Sequence, residues 1–301
     1  MFLKKLLLKI TDKKKYRNYK IESSLKEKLD IYKNKLEKKI INIQDNIKNK
    51  TEISLLHSGN LGDTLNSLPV VRELSKNHKC NFYIQAGKKI EVEHNDHPGG
   101  KIFLNKTMIS KLIPLLKKQK FINHVDLFQN QKIDIDLDIF REMPINFNLD
   151  SVRWYFQVTG IHTDLTIPHL YVESHETIKN KVVILRSLRR QSHFINYKFI
   201  SKYNNLLFVG LEEEYINLKK EVPNLEFYNC KDFLEMAEII KSSKFFLGNL
   251  SFGYAMAEGL KVPRLLESCP DFPTMYPNGK NAFDFYFQEH FERLFDYLYR
   301  L

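Results

Sequence analysis

Asp63 is the carboxylate whose surroundings in the sequence best suit it to chemistry. It follows the glycine turn Ser58-Gly-Asn60-Leu-Gly62 and opens a helical stretch, so two roles fit it. As a helix cap it accepts backbone N–H bonds, worth ~1 kcal/mol. As a general base it takes a proton from an attacking hydroxyl. A second set of candidates stands far along the chain. Arg186-Ser-Leu-Arg189-Arg190 gathers three guanidinium groups after an apolar run, and such forks suit phosphate oxygens; solvated surface pairs are the alternative. Gly248-Asn249-Leu-Ser251 leads into another helix, where Ser251 either caps it or joins the following amides in holding an anion. Gly210, after Val209, lets a ligand approach the backbone closely or serves as a plain turn. Ile133-Asp-Ile-Asp-Leu-Asp-Ile139 sets Asp134, Asp136 and Asp138 on one face of an expected strand, with Asp138 and Arg141 placed to line a cleft. His94 and His97 lie in a Pro-Gly segment, which reads as a loop and not as helical metal-ligand spacing.

These residues need elements to hold them, and the chain around them alternates regularly. Ile53–His57 reads as a short buried strand, Asp63–Asn77 as a helix and Cys80–Ile84 as the next strand. Strand, glycine turn, helix, strand is a βαβ unit, which implies a parallel sheet covered on both faces. The pattern returns with strands at Lys181–Leu185, Leu206–Val209, Leu225–Tyr228 and Phe245–Leu247, and helices at Asp232–Ser242 and Tyr254–Leu260. Thr166–Pro168 and Glu173–Lys181 read as a linker, and Phe283, Phe285, Tyr286 and Phe287 as part of a largely helical C-terminus. The expected fold class is α/β: two doubly wound Rossmann-like domains, residues 51–172 and 173–301, face a cleft behind a helical extension of residues 1–50. In such sheets ligands sit at the carboxyl ends of the strands, where these turns lie. The first turn is no dinucleotide fingerprint, because G-x-G-x-x-G is absent and a carboxylate stands where a pyrophosphate would rest.

Composition narrows the classes further. The 301 residues are 43% hydrophobic and 28% charged, as in a packed globular protein of two domains. No apolar run approaches the ~18 residues of a bilayer crossing. Cys80, Cys230 and Cys269 lie far apart, so neither a disulfide framework nor a cysteine-rich zinc site is expected, and a cytoplasmic setting is the default. Of 47 basic and 36 acidic residues, 16 and 6 fall within residues 1–50, which leaves the body nearly neutral. A nucleic-acid reader carries its basic stripe on the folded body, so no nucleic-acid partner is expected. In the extension, Leu25, Leu29, Tyr32, Leu36, Ile40, Ile43 and Ile47 step by four or three, which is helical spacing. It either packs on the body or pairs with a copy of itself, or dips Phe2, Leu3, Leu6 and Leu7 into an anionic membrane surface.

The residues around Asp63 carry a resemblance. Gly62-Asp63 followed by Leu68-Pro69-Val-Val-Arg72-Glu-Leu74 resembles the opening of the heptosyltransferases, glycosyltransferase family 9, where Gly-Asp, Leu-Pro and Arg-x-Leu recur in that order. Asp232–Asn249 is similar to that family's approach to its donor loop, and Ala255–Pro263 to the helix and proline that follow. This chain has Asn249-Leu-Ser251 where the family usually has Asp-Thr-Gly and then His, so what carries over is the broader GT-B glycosyltransferase class. The resemblance implies metal-independent transfer, with no cofactor, from a nucleotide-sugar donor to a cell-surface glycan or lipid-linked acceptor. Asp63 falls at the family's base position. The donor site it implies comprises Arg186, Arg189, Arg190, Gly210, Asn249, Ser251 and Glu258, the last at an acidic position that in many such enzymes contacts sugar or ribose hydroxyls. The acceptor side comprises Asn60, Asp138 and Arg141, and the expected place of work is the cytoplasm, peripheral at the inner membrane face. Gly59-Asn-Leu-Gly-Asp63 is also similar to the opening of polysaccharide pyruvyl transferases, and the missing histidine leaves a non-catalytic sugar- or nucleotide-binding protein open.

Overall fold

Runs of buried aliphatic residues decide where the strands lie. The computed structural model describes residues 2–90, 99–143, 149–269 and 271–301. Its first sheet takes β1 (Glu52–His57), β2 (Lys79–Ile84), β3 (His124–Leu127) and β4 (Ile135–Asp136) in the order β3-β2-β1-β4. The second takes β5 (Val182–Leu185), β6 (Leu206–Val209), β7 (Glu226–Tyr228), β8 (Phe245–Asn249), β9 (Arg264–Glu267) and β10 (Ala282–Phe285) in the order β10-β9-β8-β5-β6-β7. Every pairing is parallel. All residues of β5, β6 and β8 are buried, as befits strands covered on both faces. Each half reverses its strand order beside its first strand, between β1 and β4 and between β5 and β8. Such reversal points are where doubly wound sheets leave a crevice.

Helices cover both sheets and join them. In the first half these are α4 (Leu61–Leu74), α5 (Lys106–Lys117) and α6 (Ser151–Thr159); in the second, α7 (Glu212–Lys219), α8 (Phe233–Lys241), α9 (Phe252–Leu260) and α10 (Gln288–Arg300). One apolar cluster runs through Leu65 and Leu68 of α4, Leu112 of α5, Ile240 of α8 and Met256 of α9. The halves therefore share a core, with α4 against α9 and α5 against α8. A second cluster lies on the other face of the second sheet, where Phe285 and Phe291 stack with centroids 4.2 Å apart.

The extension is helical almost throughout: α1 (Phe2–Thr11), α2 (Lys13–Ile31), a π-helical turn at Tyr32–Leu36 and α3 (Glu37–Asn49). Only its last part docks. Leu36 and Ile43 are buried, Gln44 Nε2 donates to the Thr159 carbonyl at 2.9 Å, and Asn46 Nδ2 donates to the Asp134 carbonyl at 2.9 Å. No helix among the described residues is long and apolar enough to cross a membrane.

Two expectations change. Ile133–Ile139 is not a full strand: β4 spans two residues and gives way to a 3-10 turn, Leu137–Glu142. Asp136 accepts the Asp138 N–H at 3.0 Å, a local bond that competes with the sheet ladder and turns the chain. Asp134 pairs with Lys50 and accepts the Ser54 N–H at 3.0 Å, so the three carboxylates do not form one acidic face. Phe283 and Phe285 lie on β10, with Asp284 exposed between them, and not in a helix. His94 and His97 lie outside the described residues.

The reversal point in the second sheet depends on a missing side chain. A Cβ on Gly248 would lie 2.6 Å from the Leu185 carbonyl oxygen and 2.8 Å from the Phe246 ring. Gly248→Ala is expected to push β5 and β8 apart and cost about 1–3 kcal/mol. Gly62→Ala, whose Cβ would meet nothing nearer than 3.9 Å, should melt close to the parent. Thermal unfolding of both variants checks this, and equal midpoints would refute the close approach at Gly248.

Candidate active site between the two halves

The carboxyl ends of both central strand pairs open onto one cleft of about 760 Å³. Arg141 organises its first wall. The guanidinium Nη2 donates to Asp63 Oδ2 at 2.6 Å and Nε to Asp138 Oδ1 at 3.2 Å. The rings of Phe103 and Phe140 hold it at 4.6 and 4.7 Å from their centroids. Gly59 lies so close that a Cβ there would sit 2.5 Å from Arg141 Nη2 and 2.9 Å from Asp138 Oδ1. The turn thus requires glycine for contact and not for backbone angle. Asp63 Oδ2 also accepts the Asn60 N–H at 3.2 Å, the reciprocal bond of a capped helix start. Both bonds fall on Oδ2, and Oδ1 accepts none from the described residues. One oxygen fixes the side chain while the other stays open to a ligand.

Buried groups support this turn from behind. Asp138 accepts both the backbone N–H of Ser58 and its hydroxyl, the latter at 2.7 Å, and Lys88 Nζ donates to the same hydroxyl at 2.8 Å. Burial pushes the Asp138 carboxyl up, but the charges of His57 in acid and of Arg141, with the Ser58 bonds, outweigh it and hold the pKa at about 2. His57 Nδ1 accepts the Gly59 N–H at 3.2 Å, which leaves the ring proton on Nε2, 3.1 Å from the Tyr155 hydroxyl. Tyr155 donates onward to the Asp63 carbonyl at 2.9 Å. Burial pushes the His57 pKa down, so this ring is a neutral strut at pH 7.

The second wall is built for negative charge. Asn249, fully buried at the end of β8, accepts the Ser187 N–H at 2.9 Å through Oδ1. Its Nδ2 donates to the carbonyls of Ser187 and Arg189, each at 2.8 Å. That clamp shapes the loop after β5, in which Arg190 takes a left-handed φ of 63° and lays its guanidinium on Phe272, 3.1 Å from the ring centroid. A left-handed residue with a side chain costs about 1–2 kcal/mol. Burial and the charge of neighbouring Arg189 push the Arg190 pKa down, and an anion in the cleft relieves that crowding. Ser251 caps α9, accepting the Tyr254 N–H at 3.4 Å and donating to the Asn249 carbonyl at 3.0 Å. The first turn of α9 holds no acidic residue, so the positive end of its dipole has no carboxylate of its own.

Asn60, Asp63, Asp138, Arg141, Arg189, Arg190 and Ser251 all line this cleft. Four other residues assigned to the donor from sequence stand elsewhere. Arg186 is buried and bidentate to Glu267, at 2.8 and 2.9 Å, with its guanidinium over Tyr197. Glu258 is buried at the far end of α9 and spends both oxygens on Lys261 and Arg264. Gly210 closes β6 beside Glu214 and Leu185, and Asn249 shapes a loop wall from beneath. Conversely, Ser58, Lys88, Trp154 and Phe272 belong to the site or its support and were not singled out. Ser58 directly follows β1 and Lys88 comes soon after β2, both at carboxyl ends of strands, which is a positional signal; Trp154 and Phe272 carry none. A second cavity, about 850 Å³, lies at the amino ends of β2 and β3, near the carboxyl ends of α4 and α5. Its Lys118 and Lys120 suit helix C-terminal carbonyls, and it holds no carboxylate–guanidinium constellation like that at Asp63.

Asp138 gives the site a pH signature. Its folded pKa of about 2 lies below the ordinary 3.8, so it stabilises the fold above pH ~4 and that contribution fades as pH falls towards 2, an effect of roughly 2 kcal/mol. Asp138→Asn is expected to cost about 2–4 kcal/mol at pH 7, with the gap to the parent narrowing in acid. Denaturant unfolding at pH 7 and near pH 2.5 tests it, and a gap that does not change with pH would speak against the assignment.

No family model matches the chain, and no curated protein does. Solved structures do. Escherichia coli ADP-heptose lps heptosyltransferase II matches with a TM-score of 0.57 at 11% identity, over 83% of this chain and 98% of that one. E. coli heptosyltransferase WaaC with ADP matches with a TM-score of 0.55 at 9% identity, over 82% and 99%. The glycosyl transferase family 9 protein from Veillonella parvula DSM 2008 gives 0.48 at 14% identity, over 82% and 89%. The chain has the two-lobed GT-B fold of the family 9 heptosyltransferases.

Proposed function

We propose that this protein is a glycosyltransferase that moves a sugar from a nucleotide-sugar donor to a hydroxyl of a cell-surface glycan or lipid-linked acceptor. One observation carries the reading: an open carboxylate oxygen on one half, and two arginines with a helix N-terminus on the other, line a single cleft. The donor diphosphate rests against Arg189, Arg190 and the first amides of α9. The acceptor hydroxyl sits at Asp63 Oδ1, with Arg141 and Asn60 beside it. The hydroxyl oxygen attacks the anomeric carbon as the bond from that carbon to the phosphate oxygen breaks. The proton passes to Asp63, and the electron pair leaves with the diphosphate. Guanidinium groups and helix amides take the leaving charge, so no metal is needed for that step. Cys80, Cys230 and Cys269 are free thiols, which suits work in a reducing compartment such as the cytoplasm.

WaaC was solved with ADP, so adenine nucleotides head a thermal-shift screen that also covers UDP, GDP, CMP and their sugars. A ligand at a hundred times its Kd stabilises by ~2.7 kcal/mol. With the donor so found, Asp63→Asn is expected to lower kcat by about 10²–10⁴-fold with little change in donor KM, and Arg190→Ala to raise donor KM. Undiminished transfer by Asp63→Asn rejects it as the base. Turnover of phosphoenolpyruvate in place of any nucleotide sugar assigns the cleft to pyruvyl transfer instead.

A further inference from the structure

We propose that α1 is a membrane anchor, lying in the headgroup layer of an anionic bilayer, and that α2 is the spacer joining it to the body. The body covers the extension only from the end of α2 onward, where Ile31 is half-buried against the core and Leu36 is buried. On the side away from the core, Tyr32 at the start of the π-helical turn and Leu29, Leu25 and Ile21 of α2 are 41%, 50%, 61% and 53% exposed. α2 buries no residue at all. In α1, Leu6, Leu7 and Ile10 are exposed while the same helix carries Lys4, Lys5 and Lys9 and no acidic residue. A short helix with apolar residues, lysines and no carboxylate fits the boundary between acyl chains and anionic headgroups.

Charge selects the occupant. Residues 2–31 hold ten basic and four acidic side chains. Two such arms laid side by side repel, whereas each basic residue near an anionic leaflet is attracted to it. Geometry agrees. Asp12 breaks the helix at φ −152° and caps α2 through the amides of Lys14 and Lys15, at 3.0 and 2.9 Å. α1 and α2 are therefore separate segments, and one can lie flat while the other stands off the surface. One contact of the docked helix reaches the rim of the cleft: Lys39 Nζ meets Glu142 at 2.8 Å, and Glu142 lines the cleft beside Arg141. The anchor does not depend on the transferase reading, since a chain that binds no nucleotide would still bind lipid.

Flotation of the full-length protein with phosphatidylcholine vesicles, with and without phosphatidylglycerol, tests the anchor. It should float with the anionic vesicles alone and be released as salt shortens the Debye length. A Leu7→Glu, Ile10→Glu double variant should lose at least about tenfold in partitioning with its melting temperature unchanged, because neither side chain touches the body. No flotation at low salt, or equal flotation of the variant, overturns the proposal. So does a protein that sediments as a dimer, ignores vesicles and is split by the same two substitutions, for then a second copy covers the face.

Discussion

Two helix N-termini meet at one cleft, and most of the fold serves to hold them there. α4 and α9 grow from different sheets, yet a Cβ on Gly62 would lie 3.9 Å from both Ala255 and Phe252, so the helices touch at their first turns. Each end carries unpaired N–H groups and roughly half a positive charge. Bringing two such ends together is unfavourable unless each is answered. α4 answers its own with Asp63, whereas α9 has only neutral residues in its first turn. The asymmetry is electrostatic: one end is neutralised by a carboxylate of its own, and the other faces the cleft without one.

That asymmetry was legible because it rests on local signals. A glycine turn followed by a carboxylate, and a serine before an apolar helix, show in sequence as helix starts after strands, and both fell at carboxyl ends of parallel strands. The strands themselves announced their burial through unbroken apolar runs such as Val182–Leu185. What stayed hidden depends on partners distant in sequence. β4 shrank because the Asp136 side chain captured a neighbouring amide, a contest between local bond and ladder that alternation of residue types does not decide. Phe283 and Phe285 joined an edge strand because β9 was there to pair with them.

The same limit explains the mixed fate of the arginines. Arg186, Arg189 and Arg190 look alike in sequence and sit within five residues of one another. Arg186 points under the sheet edge to Glu267, which also accepts the Tyr197 hydroxyl at 2.8 Å and the Ser192 N–H at 2.7 Å. A carboxylate with four donors and a guanidinium on an aromatic face form a closed set, and removing either member strands a buried charge at about 3–5 kcal/mol. Glu258 with Lys261 and Arg264 is a second such set. Charged residues at the mouth of a strand thus divide into those that complete the scaffold and those that face the cleft. Only the position of the partner tells them apart.

The docked part of the arm belongs to this support as well. α3 meets the body at Asp134, where Asn46 binds the carbonyl and Lys50 the carboxylate. Asp134 leads into β4, β4 into the turn that carries Asp138 and Arg141, and Arg141 into Asp63. Two contacts joined by one short stretch of chain therefore run from the helical extension to the carboxylate that faces the cleft. The four-stranded sheet has no strand beyond β4 among the described residues, so that edge would otherwise be free to shift. Fixing it with a helix makes the placement of Arg141 depend on the extension, and through Arg141 the orientation of the Asp63 side chain.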